Sequence, residues 1–297
     1  MIVIPGPASE RLGGKIADYL NTLSHPVEHR IFPDGESYIR FTVDDTSRDC
    51  IIVQTTAPEP DRKIMQLLMM VGTAKEIGFE RIVACVPYLC YSRQDQRFRD
   101  GEVLSLDIVL SLLASAGVDD LIVVDIHNKD NTVKLAEKYS KIMRVHCLDA
   151  IPAIAGYLKK KGYEGAYSIS PDVGRKNIVE RASEILGGGF GYFEKTRDRE
   201  TGEIVMEIKN LEISGEKAVV FDDIISSGGT MSKAIKGLKD LGARKVAAAC
   251  THALFMEGAE RRLMDAGADD IIASDSIQTK YSKVTIAGIV TSYIKEL

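Results

Sequence analysis

The chain has 297 residues, 45% of them apolar, enough to bury a substantial core and long enough to favour two domains over one. Its net charge of −5 argues against a general affinity for nucleic acid, whose phosphates are held by surplus positive charge. Apolar runs such as Leu121–Val124 are far shorter than the roughly 20 residues that cross a bilayer, the N-terminus lacks the order of a signal peptide, and five cysteines without a C-x-x-C pair predict reduced thiols. A cytoplasmic protein without a membrane or nucleic-acid partner is expected.

In chain order, a strand is predicted at Met1–Ile4, then two extended segments around the Pro33-Asp34-Gly35 turn, then a strand at Cys50–Gln54. One unit then recurs: a helical stretch ends at a residue plus Gly, polar residues follow, and a short apolar run begins. It is seen at Ile77-Gly78 before Arg81–Val83, Ala116-Gly117 before Leu121–Val124, Leu241-Gly242 before Lys245-Val246, and Ala266-Gly267 before Asp270–Ile272. Glycine closes a helix in the left-handed conformation at little cost, and wholly apolar strands suit a sheet covered on both faces. A helix ends near Ser140, further strands are expected at Ala166–Ile169 and Ala218–Phe221, and Gly187–Gly191 forms a hinge before a short strand and the charged loop up to Glu203. The alternation predicts an α/β protein with mainly parallel sheets flanked by helices. The domain boundary is expected around Arg144–Ala150, giving 1–145 and 146–297.

The segment Val219–Thr230 carries the most specific chemistry. An apolar strand ends in Asp222 and Asp223, and Ser226-Ser227-Gly228-Gly229-Thr230 leads into a helix beginning near Met231. Ligands bind beyond the carboxyl ends of parallel strands, and a helix N-terminus presents unpaired N–H groups to a phosphate. The two glycines allow close backbone approach, the hydroxyls add donors, and the aspartates can accept from sugar hydroxyls. A phosphorylated sugar suits this set better than a bare nucleotide phosphate. Read alone, it is also compatible with a capped helix flanked by acids.

Val-Val-Phe-Asp-Asp-Ile-Ile-Ser-Ser-Gly-Gly-Thr resembles the phosphoribosyl-diphosphate motif shared by phosphoribosyltransferases and ribose-phosphate pyrophosphokinases. Other segments favour the second family, in a compact archaeal-like form. Arg30–Glu36 is similar to its early ATP motif, Pro87–Arg97 to its Tyr-x-x-x-Arg-Gln-Asp segment, Val124–His127 to its Asp-[Leu/Ile]-His position, and Ser170–Gly174 to its Ser-Pro-Asp-x-Gly. Phe193–Arg197 stands where that family carries a catalytic Lys-x-Arg loop. Where the family continues Arg-Gln-Asp with Arg-Lys, this chain has Gln96-Arg97, one charge fewer beside the expected polyphosphate.

The residue types agree with these roles. Phe32 offers a face to an adenine, and Asp34 and Glu36, on either side of Gly35, can accept from its amino group or from ribose hydroxyls. Arg93 supplies a planar fork for polyphosphate oxygens, with Gln94 and Asp95 beside it and Arg97 and Arg99 adding positive field. Individually, the hairpin reads as easily as a solvated turn and the basic segment as a surface loop. His127 follows a buried strand and can meet a metal or a metal-bound phosphate; Asp172 also follows a strand, so the two could converge across a domain cleft.

The resemblance implies two similar, phosphoribosyltransferase-like domains and transfer of the diphosphoryl group of ATP to the anomeric hydroxyl of ribose 5-phosphate, giving 5-phosphoribosyl 1-diphosphate and AMP with Mg2+. It assigns Lys195 and Arg197 to catalysis, Phe32, Asp34, Gly35, Glu36, Arg93, Gln94, Asp95 and Arg97 to ATP, Asp222, Asp223 and Ser226–Thr230 to ribose 5-phosphate, and His127 and Asp172 to metal. It also implies at least a homodimer in which a neighbour's Phe32, Asp34 and Glu36 complete the ATP site. A phosphoribosyltransferase and a non-catalytic, pyrophosphokinase-like subunit are the alternatives; the first usually needs one domain, and the second has no need of Lys195 and Arg197.

Overall fold

The computed structural model describes residues 1–43, 49–197, 204–208 and 212–297. The chain divides into two compact units, Met1–Asp149 with Thr285–Leu297, and Ala150–Val284.

The first unit opens with β1 (Ile2–Pro5) and α1 (Glu10–Leu20), followed by a separate antiparallel hairpin of β2 (Glu28–Ile31) and β3 (Ser37–Arg40). There follow β4 (Cys50–Val53), α2 (Pro60–Glu76), β5 (Ile82–Cys85), α3 (Ser105–Ala116), β6 (Asp120–Val124), α4 (Lys129–Ala136) and β7 (Arg144–Leu148). β1, β4, β5, β6 and β7 lie side by side in that order, all parallel. Alternate strand residues point to opposite faces, and here both sets are buried. Ile4, Ile52, Ala84 and Leu121 join Leu67, Met70 and Val71 of α2 and Leu106, Leu110 and Leu113 of α3 in one core. Val3, Ile51, Val83 and Ile122 are equally excluded from solvent. That double burial is why these strands read as unbroken apolar runs rather than alternating ones.

The second unit contains α5 (Ile151–Leu158), β8 (Tyr167–Ser170), α6 (Lys176–Leu186), β9 (Phe190–Arg197), β10 (Ile204–Ile208), β11 (Lys217–Ile225), α7 (Gly229–Asp240), β12 (Lys245–Ala253), α8 (Ala259–Asp265), β13 (Asp270–Ser274) and β14 (Ser282–Val284). Its sheet runs β10-β9-β8-β11-β12-β13-β14, parallel except for the antiparallel β9–β10 pair. The final helix, α9 (Ala287–Ile294), belongs to the first unit, where it packs on α1. β7 also belongs there, so the first unit takes in residues on both sides of the 145/146 division expected from sequence.

The recurring helix-Gly-strand unit is present in both halves. Gly78, Gly117, Gly242 and Gly267 all have positive φ, between 85° and 110°. The duplication reaches individual side chains. Ala116-Gly117-Val118-Asp119-Asp120 and Ala266-Gly267-Ala268-Asp269-Asp270 precede β6 and β13. Asp119 Oδ2 accepts from the Ile82 N–H at 2.8 Å, and Asp269 Oδ2 accepts from the Val246 N–H at 2.7 Å. Each carboxylate thus holds the start of the neighbouring strand. Asp120 and Asp270, one residue on, are both ringed by basic and polar side chains. Arg81, Arg144 and His146 surround Asp120; Lys161, Lys245 and the Tyr163 hydroxyl surround Asp270.

Candidate sugar-phosphate and nucleotide sites

β11 is longer than its sequence suggested. Its parallel partner β12 runs on to Ala253 and pairs with Asp222, Ile224 and Ile225, so both aspartates sit within the last turns of the strand rather than after it. The chain then turns through Ser226 and Ser227 to Gly228, which adopts a left-handed conformation (φ 73°) as the N-cap of α7. A Cβ there would stand a tight 3.3 Å from the Ala259 carbonyl oxygen, and the left-handed conformation strains any side chain. Ser232 N–H bonds back to Gly228, leaving the N–H groups of the first helical residues, Gly229, Thr230 and Met231, without an intrahelical acceptor. No acidic residue occupies this first turn. The Arg262 guanidinium of α8 donates to the Ser227 carbonyl and holds the loop from outside. Ser226 is half-buried, and Ser227 and Thr230 are exposed.

The corresponding turn of the first unit, between β4 and α2, is built differently. Glu59 is the left-handed N-cap, Pro60 follows, and Asp61 lies in the first turn. A proline removes one N–H donor and two carboxylates oppose an anion. Of the two turns, that of the second unit keeps its first-turn N–H donors and carries no acidic residue in its first helical turn.

Beside the loop, the acidic pair has a partner that sequence reasoning missed. Arg175, on the short turn between β8 and α6, donates through Nη2 to Asp223 Oδ2 at 2.7 Å, and its Nε lies 3.8 Å from Asp222 Oδ1. Asp223 is 5% exposed and also accepts from the Ile224 N–H at 3.0 Å. Burial, a side-chain hydrogen bond to Asp223 and the charge of Asp223 hold the Asp222 carboxyl well above the usual carboxylate range; Arg175 pulls it the other way. The only sequence signal for Arg175 is its place directly after Ser170–Gly174. Parallel pairing of β8 with β11 explains the meeting, because Ile169 lies opposite Val220 and both strands release their chains at the same edge. Asp172, half-buried, caps the turn by accepting from the Gly174 N–H at 2.9 Å.

On the other side of β8, β9 pairs Ser170 with Tyr192 and continues past the end of its neighbour. Lys195 and Arg197 lie on this extension, opposite Met206 and Ile204 of β10. Their side chains, and residues 198–203 of the loop, lie outside the described residues.

In the first unit, the β2–β3 hairpin carries Phe32, Asp34, Gly35 and Glu36 on its tip, each on the surface, with Phe32 36% exposed. Gly35 (φ 95°) donates to the Phe32 carbonyl, and Asp34 accepts from the Glu36 N–H at 3.2 Å. The Arg30 guanidinium stacks 5.0 Å from the Phe32 ring and 4.6 Å from the Tyr38 ring, fixing an aromatic face. A buried chain of amides supports the hairpin: Gln54 donates to Gln66, which donates to Ser37 Oγ at 3.0 Å. Within the 93–97 segment, Arg93 and Gln94 are exposed, and Gln94 accepts from the Ser105 hydroxyl. Arg97 donates to the Glu102 carbonyl and lines a cavity of about 890 Å³ with Phe98, Arg99 and Val103. Asp95 instead turns inward, 6% exposed, and accepts from Asn131 of α4 at 2.8 Å. This bond ties the basic segment to α4. His127 is half-buried just after β6. Among the described residues, no cluster of three or more His, Cys, Asp or Glu forms a ready-made metal cage, and no helix is long and apolar enough to cross a membrane.

Comparison with known proteins agrees with this construction. Residues 1–117 match the N-terminal domain of ribose phosphate pyrophosphokinase and residues 169–289 the phosphoribosyl transferase domain. The chain is 36% identical to the ribose-phosphate pyrophosphokinase of Sulfurisphaera tokodaii over 97% of both chains, and 35% identical to that of Sulfolobus acidocaldarius over 100% of both. The crystal structure of phosphoribosylpyrophosphate synthetase from Mycobacterium smegmatis superposes with a TM-score of 0.86 at 26% identity, covering 99% of this chain and 97% of that one. Relatives at 35–36% identity matched along nearly their whole length, together with both domain matches, show that the chain belongs to the ribose-phosphate pyrophosphokinase family of enzymes.

Proposed function

We propose that the protein transfers the diphosphoryl group of ATP to the anomeric hydroxyl of ribose 5-phosphate, giving 5-phosphoribosyl 1-diphosphate and AMP. The observation that carries this reading is the second unit's turn: free helix N–H groups and small residues for a phosphate, directly beside carboxylates for sugar hydroxyls. The 5-phosphate binds at Ser226–Thr230 and the ring hydroxyls face the acidic pair, which leaves the anomeric carbon to be presented to the nucleotide.

Displacement at phosphorus needs positioning and charge rather than a covalent nucleophile. The anomeric oxygen attacks the β-phosphorus, the bond to the α,β-bridging oxygen breaks, and the hydroxyl proton is released. Lys195 and Arg197, on the β9 extension, are assigned to the charge that develops on the transferring group. Phe32 with its Arg30 brace, Asp34, Gly35 and Glu36 receive the adenosine, and Arg93, Gln94 and Arg97 the polyphosphate. Because the hairpin tip lies on the surface, it can reach the nucleotide of a second copy, and a homodimer with a shared ATP site is part of the proposal. Asp172 offers the hard carboxylate oxygen that magnesium prefers, and His127 suits a water or phosphate of the hydrated ion. The ion, when bound, neutralises polyphosphate charge.

Incubation with ATP and magnesium tests the reading: ATP should be consumed only when ribose 5-phosphate is present. Consumption without the sugar would contradict it. Pyrophosphate release from 5-phosphoribosyl 1-diphosphate and a purine base, without ATP, would establish a phosphoribosyltransferase instead.

A further inference from the structure

An acidic pair is an awkward neighbour for a phosphorylated ligand. Asp222 and Asp223 place two carboxylates beside the loop, and Asp172 adds a third charge to the same group. A guanidinium set against both carboxyls answers part of this charge. That of Arg175 is only 18% exposed, and it reaches both carboxyls, at 2.7 Å to Asp223 and 3.8 Å to Asp222. The two contacts are unequal. Asp223 is nearly enclosed, with one oxygen taken by Arg175 and the other by the Ile224 N–H. Asp222 keeps 20% of its side chain exposed and accepts from the Asp223 N–H at 2.9 Å.

We propose that Arg175 is a positioning residue for the sugar: it fixes Asp223 as its counter-ion and leaves Asp222 as the carboxylate that accepts from the ring hydroxyls. The inference rests on the sugar-phosphate reading and divides the acidic pair into an anchor and an acceptor. A charge-assisted, nearly buried contact is strong enough to set the orientation of its partner. The arrangement also places one positive charge of the chain among three negative ones, which lowers the repulsion an incoming phosphate meets.

The test is calorimetric titration of the full chain with ribose 5-phosphate and, as a probe of the loop alone, inorganic phosphate. Arg175→Ala should weaken the sugar phosphate by roughly 10- to 100-fold and inorganic phosphate much less, while Arg175→Lys should recover part of the loss. Asp222→Asn should produce a similar selective loss, and the double variant should lose little more than either single one, because both changes act on the same hydroxyl contact. Equal weakening of both ligands, additive losses, or an unchanged affinity in Arg175→Ala would overturn the role given to Arg175. Failure of the unchanged protein to bind ribose 5-phosphate would be a different result: it would overturn the sugar-phosphate reading itself.

Discussion

The residues nearest the proposed chemistry are held at a cost, and Asp222 shows its sign. Its carboxyl is held above the ordinary range chiefly by burial. Between the unfolded and folded values, the folded chain binds a proton that the unfolded chain has released, so stability falls as pH rises through that window. Asp222→Asn removes the penalty. At pH 7 the ligand-free variant should therefore be more stable by about 1 kcal/mol, or roughly 2 °C in melting temperature, while binding ribose 5-phosphate more weakly. A lower melting temperature would show that the carboxylate is not strained. Lys195 answers to a different readout. If it meets charge that develops only in the transition state, Lys195→Ala should lower kcat by about 1,000-fold with KM nearly unchanged; a change confined to KM would make it a binding residue.

At the scale of elements, the duplicated carboxylates at the starts of β6 and β13 hold the sheets together where the ligand does not bind. Burial alone would raise the Asp120 carboxyl, but hydrogen bonds from His146, Arg144 and Arg81 outweigh it and hold the group below its ordinary value. A depressed folded value means the contribution is complete above the unfolded pKa near 4 and is lost as pH falls through the lower folded value. Asp120→Ala leaves three cationic or polar partners uncompensated and should cost about 3–5 kcal/mol at pH 7, with the difference from the unchanged protein shrinking toward pH 3 in denaturant melts. A pH-independent difference would mean that packing, not charge, sets the cost. These elements were legible in sequence because their signals are local. Glycine after a helix and an unbroken apolar run each follow from backbone sterics and two-sided burial, and both are visible within a dozen residues. The extra length of β11 was not, since residues such as Asp222 enter the strand only because β12 continues beside them.

Over the whole chain, what sequence could not reveal was whatever depends on distant contacts. α9 returns to the first unit because it packs on α1 and because the Tyr293 hydroxyl bonds His146 Nδ1 at 2.7 Å, two residues 147 positions apart. Asp95 is held inward by Asn131, 36 positions further along the chain, and Arg175 gained meaning only beside β11. The strand–turn–helix arrangement around Ser226–Thr230 was readable because one continuous segment supplies the strand end, the turn and the helix start. Assembly belongs to this scale too. If the ATP site is shared, mixing the inactive variants Lys195→Ala and Phe32→Ala should restore roughly a quarter of full activity through mixed dimers. No recovery after subunit exchange would place each site within one chain.

The central claim is which bond of ATP breaks. Phosphorus NMR of the protein with ATP, magnesium and ribose 5-phosphate reports it directly, because diphosphoryl transfer yields AMP together with the diphosphate ester of the sugar. Appearance of ADP with a singly phosphorylated sugar product would contradict the account, whatever the rate.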